Sequence, residues 1–216
     1  MDFETARFNM IEQQIRPWDV TDSAVLDLMR KVPREKFVSE SQRLLAFADL
    51  NLPIGRGETM WQPKIEARIL QALRPDSESR VLEVGTGSGY LTALLASCSK
   101  HVTSIDIYAD FISAAKQRLS AENINNVSLT KRDGAHGWQS SDAWDIIVLT
   151  GSVPALPHSY QNMLSVGGRL VAIIGRPPIM EAVLFSREEG GWVETSLFET
   201  MLQPLANAGP NKEFIF

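Results

Sequence analysis

Cysteine is almost absent from this sequence. Cys98 stands alone among 216 residues, so no disulfide can form within the chain, and a reducing cytoplasm is the expected setting. Long apolar runs are missing too, and none approaches the roughly 18 residues that would mark a membrane-spanning helix. The opening MDFETARFNM carries acids where an export signal carries bases, so a soluble, unexported protein without a membrane partner is expected. No basic stripe stands out, and the formal net charge is −5; general nucleic-acid binding is excluded because nothing would neutralise the phosphates. Histidine is scarce, and His101, His136 and His158 have no ligand spacing, so no metal is expected. Internal repeats and low-complexity tracts are also missing.

What is present is a hydrophobic fraction of 44%, enough to fill the core of one α/β domain with an extension. The chain is organised around residues 80–90, RVLEVGTGSGY. Val81, Leu82 and Val84 lead into glycines at 85, 87 and 89, and Leu91, Leu94, Leu95 and Ala96 continue at helical spacing. This reads as buried strand, tight turn and helix. Glycine allows positive φ and lets a ligand approach the backbone, while the helix start presents free N–H groups. A dinucleotide fingerprint would place its third glycine at 90, but Tyr90 stands there. The E-x-G-x-G-x-G form instead resembles motif I of the S-adenosylmethionine-dependent methyltransferases. Asp106 ends the next apolar-rich segment, residues 101–106, where a carboxylate can accept both ribose hydroxyls.

The remaining segments follow in order. Apolar residues at mostly helical spacing from Phe3 to Ile15 end at Pro17, and a second helix starts from a Thr21 or Asp22 cap and stops near Val32-Pro33. These helices predict an N-terminal subdomain, residues 1–62, that includes part of the substrate cleft. Residues 50–63 hold prolines, glycines and few regular-structure formers, which predicts an irregular loop forming an active-site wall. Pro63 is placed to open a helix that Pro75 stops. A helix over 108–121, a strand over 126–131, the buried strand 144–150, a helix through Ala155 and Leu164, and a strand over 169–174 come next. Two alternating runs around residues 188–191 read as a hairpin. The alternation predicts a doubly wound α/β fold with a mostly parallel sheet and an antiparallel strand pair at its end. Asp133-Gly134 closes the third strand, where an acid can accept an adenine amino group. A core over 63–205 and a tail over 206–216 complete the division; the tail ends in Phe214, Ile215 and Phe216, which would dock on a neighbour or remain disordered.

Residues 33–37 (PREKF), 52–59 (LPIGRGET), Gln62-Pro63, 81–90, 133–138 (DGAHGW), 145–148 (DIIV), Pro154 and 167–170 (GGRL) together resemble the protein-L-isoaspartate O-methyltransferase family. The resemblance covers nearly the whole chain. It implies a seven-stranded Rossmann-like methyltransferase that uses S-adenosylmethionine to methylate the carboxylate of isoaspartyl residues in damaged proteins. It implies cofactor contacts from Glu83, Gly85, Thr86, Gly87, Gly89, Asp106, Ile107, Asp133, Gly134 and Thr150, and a transfer site at Thr59, Trp61 and Gln62. A carboxylate is already ionised at neutral pH, so no strong general base is required.

Departures from the family pattern fall on the substrate side. Trp61 occupies the position of the family's serine, and an indole has one donor and no acceptor. The family's T-A-A is Thr150-Gly151-Ser152 here, and its closing F-V-P-L-V is residues 201–205, MLQPL. Alternative readings are therefore a small-molecule or other acceptor, or a cofactor-binding protein without transfer activity.

Overall fold

In the computed structural model, residues 2–138 and 140–209 are described. Helix α1 (Phe3–Met10) is capped by Asp2, whose carboxylate accepts the Glu4 N–H at 3.0 Å. It runs on through a π turn (Ile11–Ile15) into a 3-10 turn (Arg16–Trp18), where Pro17 has no N–H to continue the ladder. Of the two candidate caps for the next helix, α2 (Ser23–Lys31), Asp22 is the one used, accepting the Ala24 N–H at 2.9 Å. Val25, Leu26 and Met29 form its buried face.

Residues 50–63 differ from expectation. Instead of an irregular loop they hold an antiparallel hairpin of β1 (Leu52–Gly55) and β2 (Glu58–Met60). Its connection, Arg56-Gly57, has φ of +56° and +81°, the sign pattern that a two-residue I′ connection requires. An arginine in the first of these positions hides the signal that Asn-Gly would have shown.

Pro63 opens α3 (Pro63–Leu73), as expected. The doubly wound unit then follows: β3 (Arg80–Val84), α4 (Tyr90–Ala96), β4 (His101–Asp106), α5 (Ala109–Ala121), β5 (Val127–Lys131), β6 (Trp144–Val153), α6 (His158–Met163) and β7 (Leu164–Arg176). β8 (Ile179–Glu188) and β9 (Gly191–Glu199) follow. One seven-stranded sheet runs in the order β5-β4-β3-β6-β7-β8-β9. Its pairs from β5 to β7 are parallel, and β7–β8 and β8–β9 are antiparallel. The expected helix through Leu164 is shorter: α6 ends at Met163, and Leu164 already pairs with Trp144 in the sheet.

Neighbouring residues of the central strands feed opposite faces. Val81, Val102, Ile146 and Val148 join the N-terminal helices, α3 and α4 on one side, while Leu82, Val84, Ile147 and Leu149 meet Tyr160 and Met163 of α6 on the other. Burial on both faces is why these strands read as continuous apolar runs. Chain order reverses between β3 and β6, and ligands of open α/β sheets bind at the carboxyl ends of strands at such a reversal.

After β9 the chain returns to this same edge. The Ser152 N–H donates to the Gln203 carbonyl at 2.9 Å, and the Leu205 N–H donates back to the Ser152 carbonyl at 3.0 Å. Residues 201–206 thus form a strap along the end of β6. Of the tail predicted over 206–216, Phe214, Ile215 and Phe216 lie outside the described residues. Among the described residues, no helix is long and apolar enough to cross a membrane.

Candidate active site

A cleft of about 660 Å³, open to solvent, lies over the carboxyl ends of β3, β4 and β6. Gly85, Gly87, Asp106, Ile107, Asp133, Gly134 and Thr150 line it on one side, and Thr59 and Trp61 on the other. Glu83 and Thr86 border an adjoining recess that shares Gly85, Gly87, Thr59 and Trp61. Two expected residues do not line either space. Gly89 caps α4 at φ +83°, and a Cβ there would come within 3.0 Å of Ala115 Cβ, so it sets how closely α4 meets α5. Gln62 occupies the N-cap position of α3.

The glycine turn is shaped by what surrounds it. A Cβ on Gly85 would lie 2.0 Å from Thr150 Oγ1. That hydroxyl is 2.9 Å from the Val84 carbonyl and 2.7 Å from the Gly85 carbonyl, which share its hydrogen and tie the end of β6 to the turn. Asp106 grips the same turn from β4: its Oδ2 accepts the Gly87 N–H and its Oδ1 the Tyr108 N–H, both at 2.9 Å. Each oxygen keeps further lone pairs for hydroxyl donors. Burial raises the Asp106 carboxyl above its ordinary value, opposed by the N–H bonds from Gly87 and Tyr108.

Asp133 follows β5. Its Oδ1 accepts the Ala135 N–H at 2.9 Å, and its Oδ2 accepts the side-chain amide of Asn207 at 2.7 Å. Gly134 beside it has no room for a side chain, since a Cβ would lie 2.5 Å from Val84 Cγ1. The Tyr160 hydroxyl, fully buried, donates to the Gly134 carbonyl and holds this corner against α6.

Glu83 is fully buried, and its Oε2 accepts from Thr92 Oγ1 at 2.5 Å and Ser104 Oγ at 2.6 Å. Among the described residues its Oε1 has no partner, and burial pushes the carboxyl up to about 8. A buried carboxylate oxygen without a donor is costly unless a ligand supplies one. Glu66, which also borders the recess, is pushed up to about 7 by burial, against the pull of Arg34.

Sequence reasoning missed Tyr108, Phe111 and Arg132 as lining residues, whereas Ile54 and the strap residues Gln203, Pro204 and Leu205 lie in segments it placed on the acceptor side. Glu58 sits inside the segment already singled out, and its carboxyl is raised by burial and by the charge of Asp106. Tyr108 and Phe111 meet edge to face at 5.3 Å just beyond β4. Arg56, from the hairpin turn, pairs with Asp110 at 2.8 Å and lies 4.7 Å from the Tyr108 ring centroid, clasping the hairpin to α5. Apart from the resemblance, the strap has no sign in the chain of its place, because it reaches the cleft by pairing with Ser152.

The residues present fit a nucleoside with a short charged arm. A turn without room for Cβ atoms, carboxylates at the ends of β4 and β5, and an orphaned buried oxygen behind the turn match its sugar, base and ammonium end. Fold and cleft together define a Rossmann-like class I methyltransferase, an enzyme class that uses S-adenosylmethionine. Residues 6–208 match the family model described as protein-L-isoaspartate(D-aspartate) O-methyltransferase. Protein-L-isoaspartate O-methyltransferase 2 of Pelobacter propionicus is 40% identical over 187 residues, which is 87% of this chain and 83% of that protein. The corresponding Synechococcus enzyme is 35% identical over 210 residues, 94% of this chain and 86% of its own length. In fold, the chain matches a Plasmodium falciparum beta-aspartate methyltransferase solved in complex with S-adenosyl-L-homocysteine. That match has a TM-score of 0.78 at 20% identity, over 95% of this chain and 98% of the other. The chain belongs to the protein-L-isoaspartate O-methyltransferase family.

Proposed function

We propose that this protein methylates the free carboxylate of isoaspartyl residues in damaged proteins and peptides, with residues 1–62 supplying the acceptor side and residues 63–205 the cofactor core. The observation that carries this reading is a single cleft with two unlike walls. One wall is the glycine turn with Asp106 and Asp133; the other is β2, with Thr59 and Trp61.

Asp106 accepts the ribose hydroxyls with the lone pairs that Gly87 and Tyr108 leave free. Asp133 accepts the adenine amino group, and Gly134 leaves room for the ring. Glu83 Oε1 receives the ammonium end of the cofactor's amino-acid arm, alone or through a water. When bound, S-adenosylmethionine supplies an electrophilic methyl on a sulfonium sulfur.

The protein's task is then alignment. An isoaspartyl carboxylate is ionised at neutral pH and needs no proton removed. None of the three histidines lines the cleft. Thr59 offers a hydroxyl to the acceptor carboxylate, and Trp61, only 6% exposed, narrows the wall beside it. Holding two reactants in line can contribute roughly 7–11 kcal/mol.

The test is incubation with methyl-labelled cofactor and an isoaspartyl peptide, alongside its aspartyl twin. Base-labile label on the isoaspartyl peptide alone is the expected result; label on neither peptide, with the cofactor bound at micromolar affinity, would refute the assignment.

A further inference from the structure

Arg34 is fully buried on a 3-10 turn (Arg34–Lys36). Its guanidinium spends its donors on separate segments. Nε donates to the Ala46 carbonyl at 2.8 Å, Nη1 to Glu66 Oε2 on α3, and Nη2 to the Trp61 carbonyl. The face of the group lies over the ring of Tyr90, 4.8 Å from its centroid. Tyr90 is the first residue of α4, directly after the glycine turn. One planar cation therefore touches the acceptor wall, the helix that follows that wall, and the helix that starts beside the cofactor.

Stability alone does not explain this arrangement. Burying an ion pair costs desolvation that its attraction barely repays, and apolar pairs of similar volume often serve a fold as well. What an apolar pair cannot do is aim a carbonyl. A guanidinium fork fixes both distance and direction for each acceptor it meets. Trp61 and Gln62 lie between β2 and α3, outside regular structure. The Trp61 carbonyl is thus held by a group 27 residues away in sequence.

We propose that Arg34 is a positioning residue for acceptor binding: through the Trp61 carbonyl it fixes the Thr59–Trp61 wall relative to the glycine turn. The inference rests on the reading that this wall receives the isoaspartyl carboxylate, and its test separates the two.

The double variant Arg34→Met/Glu66→Met removes the donor to Trp61 without leaving a lone buried charge. It should fold and bind S-adenosylhomocysteine within about twofold of the parent by calorimetry. Its KM for the isoaspartyl peptide should rise about tenfold, the cost of losing one charge-assisted hydrogen bond. Arg34→Lys keeps the charge but not the fork and should give an intermediate KM; it carries the same readings if the double variant does not fold. In protein labelled with 5-fluorotryptophan, the Trp61 fluorine signal, assigned by its loss in Trp61→Phe, should broaden or split in these variants while that of Trp144 stays put. Unchanged KM with an unchanged Trp61 signal in a folded variant would overturn the proposal. If the parent protein methylates no isoaspartyl peptide, the functional reading fails instead, and the fluorine signal alone decides the role of Arg34.

Discussion

The two walls of the cleft are built on different principles. The cofactor wall is local: Gly85, Gly87 and Glu83 lie within one strand and turn, and Asp106 reaches them from the adjacent parallel strand. The acceptor wall is assembled from afar. On the reading proposed above, Arg34 ties Glu66 to the Trp61 carbonyl beside the hairpin, while the strap at residues 201–206 is held separately by backbone bonds to Ser152. A wall made of backbone and glycine tolerates little change. One made of side chains from distant segments can be re-cut without disturbing the fold; Trp61 departs from the family pattern there, while Gly151 and residues 201–205 depart at the β6 edge, where Leu205 also approaches the Gly85 turn.

The largest expected effect tests the local wall. Asp106→Asn places an amide NH2 against one of two backbone donors, Gly87 or Tyr108, and removes an acceptor for the ribose. Cofactor affinity measured by calorimetry should fall about a hundredfold, as two charge-assisted hydrogen bonds weaken. An unchanged affinity would break the comparison, because the turn would then not be a nucleoside site.

Trp61→Ser moves the effect to the other wall. Restoring a small hydroxyl should raise kcat/KM for an isoaspartyl peptide about tenfold, with cofactor affinity unchanged, since pocket volume limits what an acceptor site admits. The same change empties a buried site and should cost about 3 kcal/mol of stability in a denaturant titration. A fall in cofactor affinity would mean that the walls are not separable.

Gly151→Ala is the mildest probe. A Cβ there would lie 2.8 Å from the Leu205 backbone N and 3.0 Å from its side chain, so the backbone of the strap itself must move. The KM for the peptide should rise about threefold, with cofactor affinity again constant, when both are measured on one preparation. If KM is unaffected, the strap does not bound the acceptor.

The glycine turn, Asp106, Asp133 and the parallel order of strands follow from apolar periodicity and spacing within short windows, and the structure places them together. The hairpin at residues 52–60 is not legible along the chain, because Arg56 takes a positive-φ turn position normally signalled by Asn or Gly. Gln62 and Gly89 matched the family pattern, yet the fold puts them at helix starts outside the cleft lining. Arg34 and Leu205 stand in segments compared with the family pattern, yet their contacts are set by partners dozens of residues away.

By itself the sequence determined the α/β architecture, the turn and the family, because strands buried on both faces and a turn that excludes Cβ atoms constrain residue types position by position. Only the tertiary structure decided how the acceptor wall is held. A buried arginine reads the same along the chain whatever carbonyl it serves, and only packing brings the Trp61 carbonyl, Glu66 and the Tyr90 ring around it.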